Sequence, residues 1–135
     1  MAKTSATTSE TTTSLTTRTS PALEIATAFT KAWTSHHLPQ AAEFVADDVE
    51  FEGPLAQTQG SAAYLKGLAG LARDITGFRM LAAFADGDQA LLMYDLHTRS
   101  YGTLTCAKLL TIRDGKIARD KLTFDSHLIR SAKAA

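Results

Sequence analysis

Ala22, Ile25, Ala26, Phe29, Ala32 and Trp33 recur at the three- and four-residue intervals of a single helical face. Ser20 stands ahead of them as a natural N-cap, and Pro21 suits the first helical position, where its missing N–H costs nothing. The pattern stops at His36-His37, and a short second helix is expected from Pro39 to Ala46, with Ala42, Phe44 and Val45 as its buried positions. VEFEGP (Val49 to Pro54) alternates apolar and acidic residues before a Gly-Pro breaker and reads as a strand. Ser61 is placed to cap a third helix on which Tyr64, Leu65, Leu68 and Leu71 share a face. Gly67 and Gly70 interrupt that helix, each at a cost of roughly 1 kcal/mol relative to Ala.

Beyond Phe78 the period changes from helical to two. Phe78, Met80, Ala82 and Phe84 alternate, Asp86-Gly87-Asp88 supplies a turn, and Ala90, Leu92, Tyr94 and Leu96 alternate again. After a loop around Ser100 to Gly102, Leu104 to Phe124 reads as a β-hairpin. Helices followed by antiparallel strands predict an α+β fold, with the helices packed on one face of a curved sheet.

The hairpin carries a lysine, Lys108, inside the apolar row Leu104, Cys106, Leu110 and Ile112. A two-residue Asp-Gly turn pairs Ile112 with Ile117; a three-residue turn, with Gly115 left-handed in a bulge, pairs Ile112 with Lys116. The second register sorts the faces cleanly, with Ala118, Leu122 and Phe124 joining the apolar row, and it is the one predicted. It sets Asp120 directly opposite Lys108 on the inward face. A cross-strand ion pair then explains how a lysine is tolerated there, because either charge alone in an apolar site would cost several kcal/mol.

The chain of 135 residues suits one domain, and its 14 basic residues balance its 14 acidic ones. That balance gives no support to a nucleic-acid or membrane-surface partner, and no apolar run reaches the length of a membrane span. Residues 1–20 are dominated by Thr and Ser and are expected to be a disordered tail, leaving a domain over residues 21–130. The tail lacks the apolar core of a secretory signal, so a cytoplasmic location is expected. Cys106 is the sole cysteine, which excludes an internal disulfide.

FVADDVEFEGP (Phe44 to Pro54), the element order, and TIRDGKI running on to TFD (Thr111 to Ile117, Thr123 to Asp125) together resemble the SnoaL-like branch of the nuclear-transport-factor-two-like superfamily. The resemblance covers nearly everything from Leu23 to Asp125. It implies a cone-shaped, strongly bent antiparallel sheet whose N-terminal helices enclose a largely apolar pocket, and a homodimer formed through the outer sheet face. Relatives include ketosteroid isomerases, limonene-epoxide hydrolases and polyketide cyclases, so the fold leaves the function open. The isomerases' proton-abstracting aspartate falls on Gly53, their oxyanion-binding tyrosine on Phe29 and their second oxyanion donor on Lys108. The hydrolases' Arg-x-Asp pattern falls on Cys106-Ala107-Lys108, and the aspartate of their last strand on Leu122. Neither set of catalytic residues is present.

The expected pocket lining is Phe29, Trp33, Phe51, Tyr64, Phe78, Met80, Tyr94, Leu110, Leu122 and Phe124, with Lys108 and Asp120 among them. Such a wall suits a small apolar, oxygenated molecule, although the same residues would also serve as a plain core. Lys108 and Asp120 are the candidate catalytic pair. A desolvated lysine acts as base or imine-forming nucleophile, whereas a carboxylate beside it favours the ammonium and suits it to holding an anionic oxygen. Asp95 and His97 are expected on the outer face, and a register slip would bring both inward. His36-His37 read as a solvated turn. No residue grouping has the spacing of a metal site, and there is no phosphate loop or nucleophile elbow, so no metal or cofactor is expected. Three function classes follow: a pocket for a small apolar molecule, a cofactor-free acid–base isomerase or cyclase, and a non-catalytic association module whose outer face carries Leu81, Leu91, Met93 and Leu109.

Overall fold

The computed structural model describes residues 20–134. Helix α1 spans Pro21–Thr34 and α2 spans Leu38–Ala42; strand β1 covers Val45–Glu52 and β2 covers Gln57–Gln59. Helix α3, Ser61–Asp74, is followed by β3 (Ile75–Asp86), β4 (Gln89–Thr98), β5 (Gly102–Arg113) and β6 (Lys116–Phe124), and α4 closes the chain over His127–Ala134. The Thr/Ser-rich segment expected at 1–20 lies, apart from Ser20, outside the described residues.

Six strands form one sheet in the order β2-β1-β6-β5-β4-β3. Its neighbours are antiparallel except β1 and β6, which run parallel and set Phe51 beside Asp120. Helix α1 begins as its sequence dictates: Ser20 Oγ accepts the Leu23 amide at 3.1 Å, with Pro21 at the first turn. Its stripe buries Ala22, Ala26, Phe29 and Trp33 against the sheet. Thr30 is also fully buried there, because its hydroxyl donates to the Ala26 carbonyl at 2.8 Å and so needs no outside partner.

Four local expectations are corrected. The second helix ends at Ala42, not Ala46, because Phe44 and Val45 are drawn into pairing with β6; the Ile117 amide donates to the Phe44 carbonyl at 2.7 Å. Helix α3 takes Gly60, at φ 93°, as its N-cap, and Ser61 is its first helical residue. In β3 an irregularity between Met80 and Ala82 switches the alternation, so Ala83 and Ala85 turn toward the core and Phe84 turns outward, 68% exposed. The helix α4 was not expected at all.

The hairpin register is also corrected. Asp114 (φ 53°) and Gly115 (φ 76°) form a two-residue turn, with Arg113 opposite Lys116 and Ile112 opposite Ile117. The extra residue sits one step later, at Ala118, where Thr111 pairs with Arg119. Lys108 is therefore opposite Leu122, and Asp120 is opposite Leu110. The bulge lets both Ile117 and Ala118 be buried, which a strictly alternating strand forbids.

Candidate functional site

Between the concave face of the sheet, α3 and the start of α4 lies a cavity of about 250 Å³. Trp33 reaches it from α1, and Phe51 from β1 with the following Gly53, Pro54, Leu55 and Ala56. Thr58 of β2 and Ala63, Tyr64, Gly67, Leu68 and Leu71 of α3 form one wall. Tyr94 and Leu96 of β4, Leu104, Cys106 and Lys108 of β5, and Asp120, Leu122 and Phe124 of β6 form the other, with Ile129 contributed by α4. A Cβ at position 53 would stand 2.8 Å from Phe51 Cζ, so glycine there lets the Phe51 ring fold over the strand end and into the wall.

Lys108 and Asp120 meet as predicted by face, though diagonally: Lys108 Nζ is 3.2 Å from Asp120 Oδ2, and neither side chain has appreciable exposure. Tyr64 completes the arrangement, its hydroxyl donating to the same Oδ2 at 2.5 Å. The ammonium also lies 5.4 Å from the Trp33 ring centroid and 5.7 Å from that of Phe29, favourable for cation–π attraction. Burial pulls the Lys108 ammonium toward its neutral form, but the carboxylate of Asp120 and the hydroxyl of Tyr94 outweigh it and hold the group above the ordinary lysine range. The contact with Asp120 thus favours the ammonium over the neutral amine that a base or an imine-forming nucleophile requires. Burial, reinforced by Asp120, also raises the Tyr64 phenol well above its usual value, so Tyr64 remains a neutral donor. Burial pushes the Cys106 thiol up to about 11 against the opposing pull of Lys108, which keeps it unreactive at neutral pH.

Three buried side-chain atoms among the described residues lack a hydrogen-bond partner: Asp120 Oδ1, Trp33 Nε1 and Thr58 Oγ1. All three belong to residues of the cavity wall. None of the three has surface that a water-sized molecule in the cavity could touch, so they are sealed behind the wall rather than presented to it.

Of the expected lining residues, Trp33, Phe51, Tyr64, Tyr94, Leu122 and Phe124 stand on the wall with Lys108 and Asp120; Phe29, Phe78, Met80 and Leu110 do not. Leu110 lies one inward position beyond Lys108 along β5, past the ion pair that ends the cavity, and is completely buried. Phe29 is equally buried, its ring stacked on Tyr64 at 6.3 Å. Phe78 and Met80 sit on the far edge strand, where Phe78 packs against Tyr94 at 5.5 Å. Asp95 and His97 lie on the outer face, bonded to Thr105 at 2.6 Å and to Thr103 at 2.9 Å. His36 adopts φ 68° in the turn after α1, and His37 Nδ1 lies 3.0 Å from Ser35 Oγ. Among the described residues no three His, Cys, Asp or Glu side chains are grouped to hold a metal ion.

The 53–56 loop, Thr58, Ala63, Gly67, Leu68, Leu71, Leu96, Leu104, Cys106 and Ile129 are wall residues outside the expected lining. Leu55, a large apolar residue directly after the Gly53-Pro54 breaker, is the available signal for the loop; Ile129 has none.

A bent, unclosed sheet with helices over its concave face and an apolar cavity ending in a buried ion pair defines a pocket-bearing α+β protein of the nuclear-transport-factor-two-like class. The chain belongs to the SnoaL-like domain family, which matches residues 26–120. It is similar to a protein of Kribbella flavida known from its crystal structure, at 30% identity and a TM-score of 0.82, over 86% of this chain and 96% of that one. A candidate polyketide cyclase of Sinorhizobium meliloti is 27% identical with a TM-score of 0.66, over 73% and 93% of the two chains. An LEH-like epoxide hydrolase of M. tuberculosis shares the fold at 18% identity and a TM-score of 0.69, over 84% and 93%. No curated protein matches the sequence. Among the described residues, no helix is long and apolar enough to cross a membrane.

Proposed function

We propose that this protein binds a small hydrophobic, oxygenated molecule in the cavity between α3 and the sheet, acting in the cytoplasm and without a cofactor. The observation that supports this reading is the cavity itself, walled mainly by aromatic and aliphatic side chains with the Lys108–Asp120 pair at one end. The hydrocarbon part of such a ligand would cover the leucine and phenylalanine side chains, with its oxygen toward the Lys108 end. Trp33 is the sole tryptophan, so its fluorescence reports directly on occupancy. Titration with a panel of small aromatic and terpenoid molecules is expected to give saturable changes in that fluorescence. A panel that leaves both the fluorescence and the melting temperature unmoved would defeat the reading.

Acid–base chemistry is a second reading, favoured by the carboxylate–ammonium pair of Asp120 and Lys108 on the cavity wall. Asp120 would take a proton from the bound molecule and the Lys108 ammonium would stabilise the resulting anion, as an isomerase or cyclase requires. Turnover of a bound compound that disappears in Asp120→Asn, with binding retained, is the expected result.

Self-association is supported separately by the outer face of β3 and β4. Leu81, Phe84, Leu91 and Met93 are all exposed there, with Phe84 paired to Leu91 and Ala82 to Met93. A homodimer through this face is expected by light scattering, converted to monomer by Phe84→Glu; a monomeric parent protein would remove the idea.

A further inference from the structure

Nearly every residue of the cavity wall is buried or half-buried; Leu55, Ala56, Ala63 and Gly67 are exposed. Residues that face both the cavity and the solvent mark its mouth. The mouth therefore lies between the 53–56 loop and the first two turns of α3. A Cβ built at Gly67 meets nothing within 4 Å, which is the space expected at the rim of an opening.

The two sides of that mouth are held with unequal firmness. Helix α3 is fixed to the sheet by the Tyr64 hydroxyl on Asp120 and by the buried Leu68 and Ala72. The strands β4, β5 and β6 behind it are each paired on both sides. The loop bonds to itself, the Gly53 amide donating to the Ala56 carbonyl at 2.9 Å, and to α4, the Arg130 guanidinium donating to the Pro54 carbonyl at 3.2 Å. Arg130 Nε is steadied on Ser126 Oγ at 2.8 Å. Helix α4 is itself lightly anchored: of its residues whose burial is described, Ile129 alone is buried. Segments with few buried contacts and exposed hydrogen bonds open at far lower free energy than the fold unfolds. One exposed bond thus links two lightly packed segments across the cavity, and its loss frees both.

We propose that the cavity is entered between Leu55 and Gly67, and that the Arg130–Pro54 bond is a clasp joining the 53–56 loop and α4 into one flap over that entrance. As a route for a ligand this rests on the pocket reading above; it adds the way in and the residue that controls it.

Trp33, the sole tryptophan, stands on the cavity wall at 1% exposure, so acrylamide quenching of its fluorescence reports how readily a small neutral solute gets in. Arg130→Ala is expected to raise the quenching constant roughly twofold or more. In that variant the amides of residues 53 and 130, bonded to the Ala56 and Ser126 carbonyls, are expected to exchange faster together, with those of β4 and β5 unchanged. Gly67→Leu plugs the mouth and is expected to lower quenching below the parent value. Gly70→Leu, on the same helix but off the cavity wall, is expected to leave it level. Each variant is checked for folding by circular dichroism.

Quenching unmoved by Arg130→Ala, or exchange that quickens at residue 130 alone, would overturn the clasp. Equal effects of Gly67→Leu and Gly70→Leu would overturn the mouth. Both outcomes leave the pocket reading intact, because saturable binding to the parent protein decides that separately. A ligand panel that fails to bind, with quenching following all three variants as stated, would remove the pocket reading and support the passage alone. Arg130 is exposed, so its variant decides the matter even if a glycine variant fails to fold.

Discussion

Tyr64 on α3 donates its hydroxyl to Asp120 Oδ2 on β6 at 2.5 Å, joining residues 56 positions apart. This bond fixes the helix that forms one cavity wall to the strand that forms the other. Since the acceptor also faces Lys108 Nζ, one carboxylate oxygen holds together α3, β5 and β6. Tyr64→Phe keeps the ring and removes only that bond. A hydrogen bond to a charged group contributes about 1.5–3 kcal/mol, so urea denaturation of the variant is expected to show a loss of that order. An unchanged midpoint would mean that α3 is held by apolar packing alone.

Lys108 and Asp120 are expected to be strongly coupled. Lys108→Met strands a buried carboxylate and should cost about 3–5 kcal/mol. The pair Lys108→Met/Asp120→Asn leaves no charge to strand and keeps an amide oxygen to accept from Tyr64, so most of that loss should be recovered. The double-mutant cycle measures the difference; additive losses would mean that the two groups do not depend on one another.

Stability is expected to fall on the alkaline side. The Cys106 thiol titrates near 11 in the folded protein, and near about 8.5 in an unfolded chain. Between those values the unfolded state has released a proton that the folded state keeps, so the unfolding free energy declines with rising pH, by about 1.4 kcal/mol per unit. Lys108, Tyr64 and Tyr94 are raised as well, so their contribution is complete below about pH 10 and is lost above it. Denaturation midpoints should be level from neutral pH to about 8.5 and then drop, with the onset delayed toward pH 10 in Cys106→Ala. A level profile to pH 11 in the parent protein would contradict this assignment.

Gly67 separates the needs of the helix from those of the cavity. A Cβ built there meets nothing within 4 Å, and the residue lies in the interior of α3 on the cavity wall. Gly67→Ala should therefore stabilise the fold by about 0.5–1 kcal/mol through helix propensity. The added methyl also enters space beside the cavity, so weaker probe binding is expected with the higher melting temperature. Lower stability in this variant would show that α3 tolerates no side chain at that point.

Much of this architecture was written in the chain as periodicity. The α1 stripe with its Ser20-Pro21 start, the inward row of β4 and the burial of Lys108 beside Asp120 follow from side-chain spacing alone. The ion pair survived a wrong register because the hairpin lies two residues from the predicted alignment, and a shift of two preserves the face. The bulges at Leu81 and Ala118 had no such protection. They spoil the alternation locally, so simple alternation points Phe84 inward and puts the extra residue of the hairpin in its turn.

The cavity itself belongs to the tertiary structure. Alternation decides which way a side chain points, but not whether space is left in front of it. Phe29 and Leu110 point inward and are packed solid; Leu104 and Leu122 point inward and border a void. That difference depends on how far α3, the 53–56 loop and α4 stand from the sheet. Tyr64 likewise reads as one apolar position of a helical face until α3 is docked and its hydroxyl meets Asp120. The sequence by itself determined the faces, the element order and the charged pair, because these depend on local geometry. Only the tertiary structure decided the register, the size of the cavity and which polar atoms go without partners, because these depend on distances between elements remote in the chain.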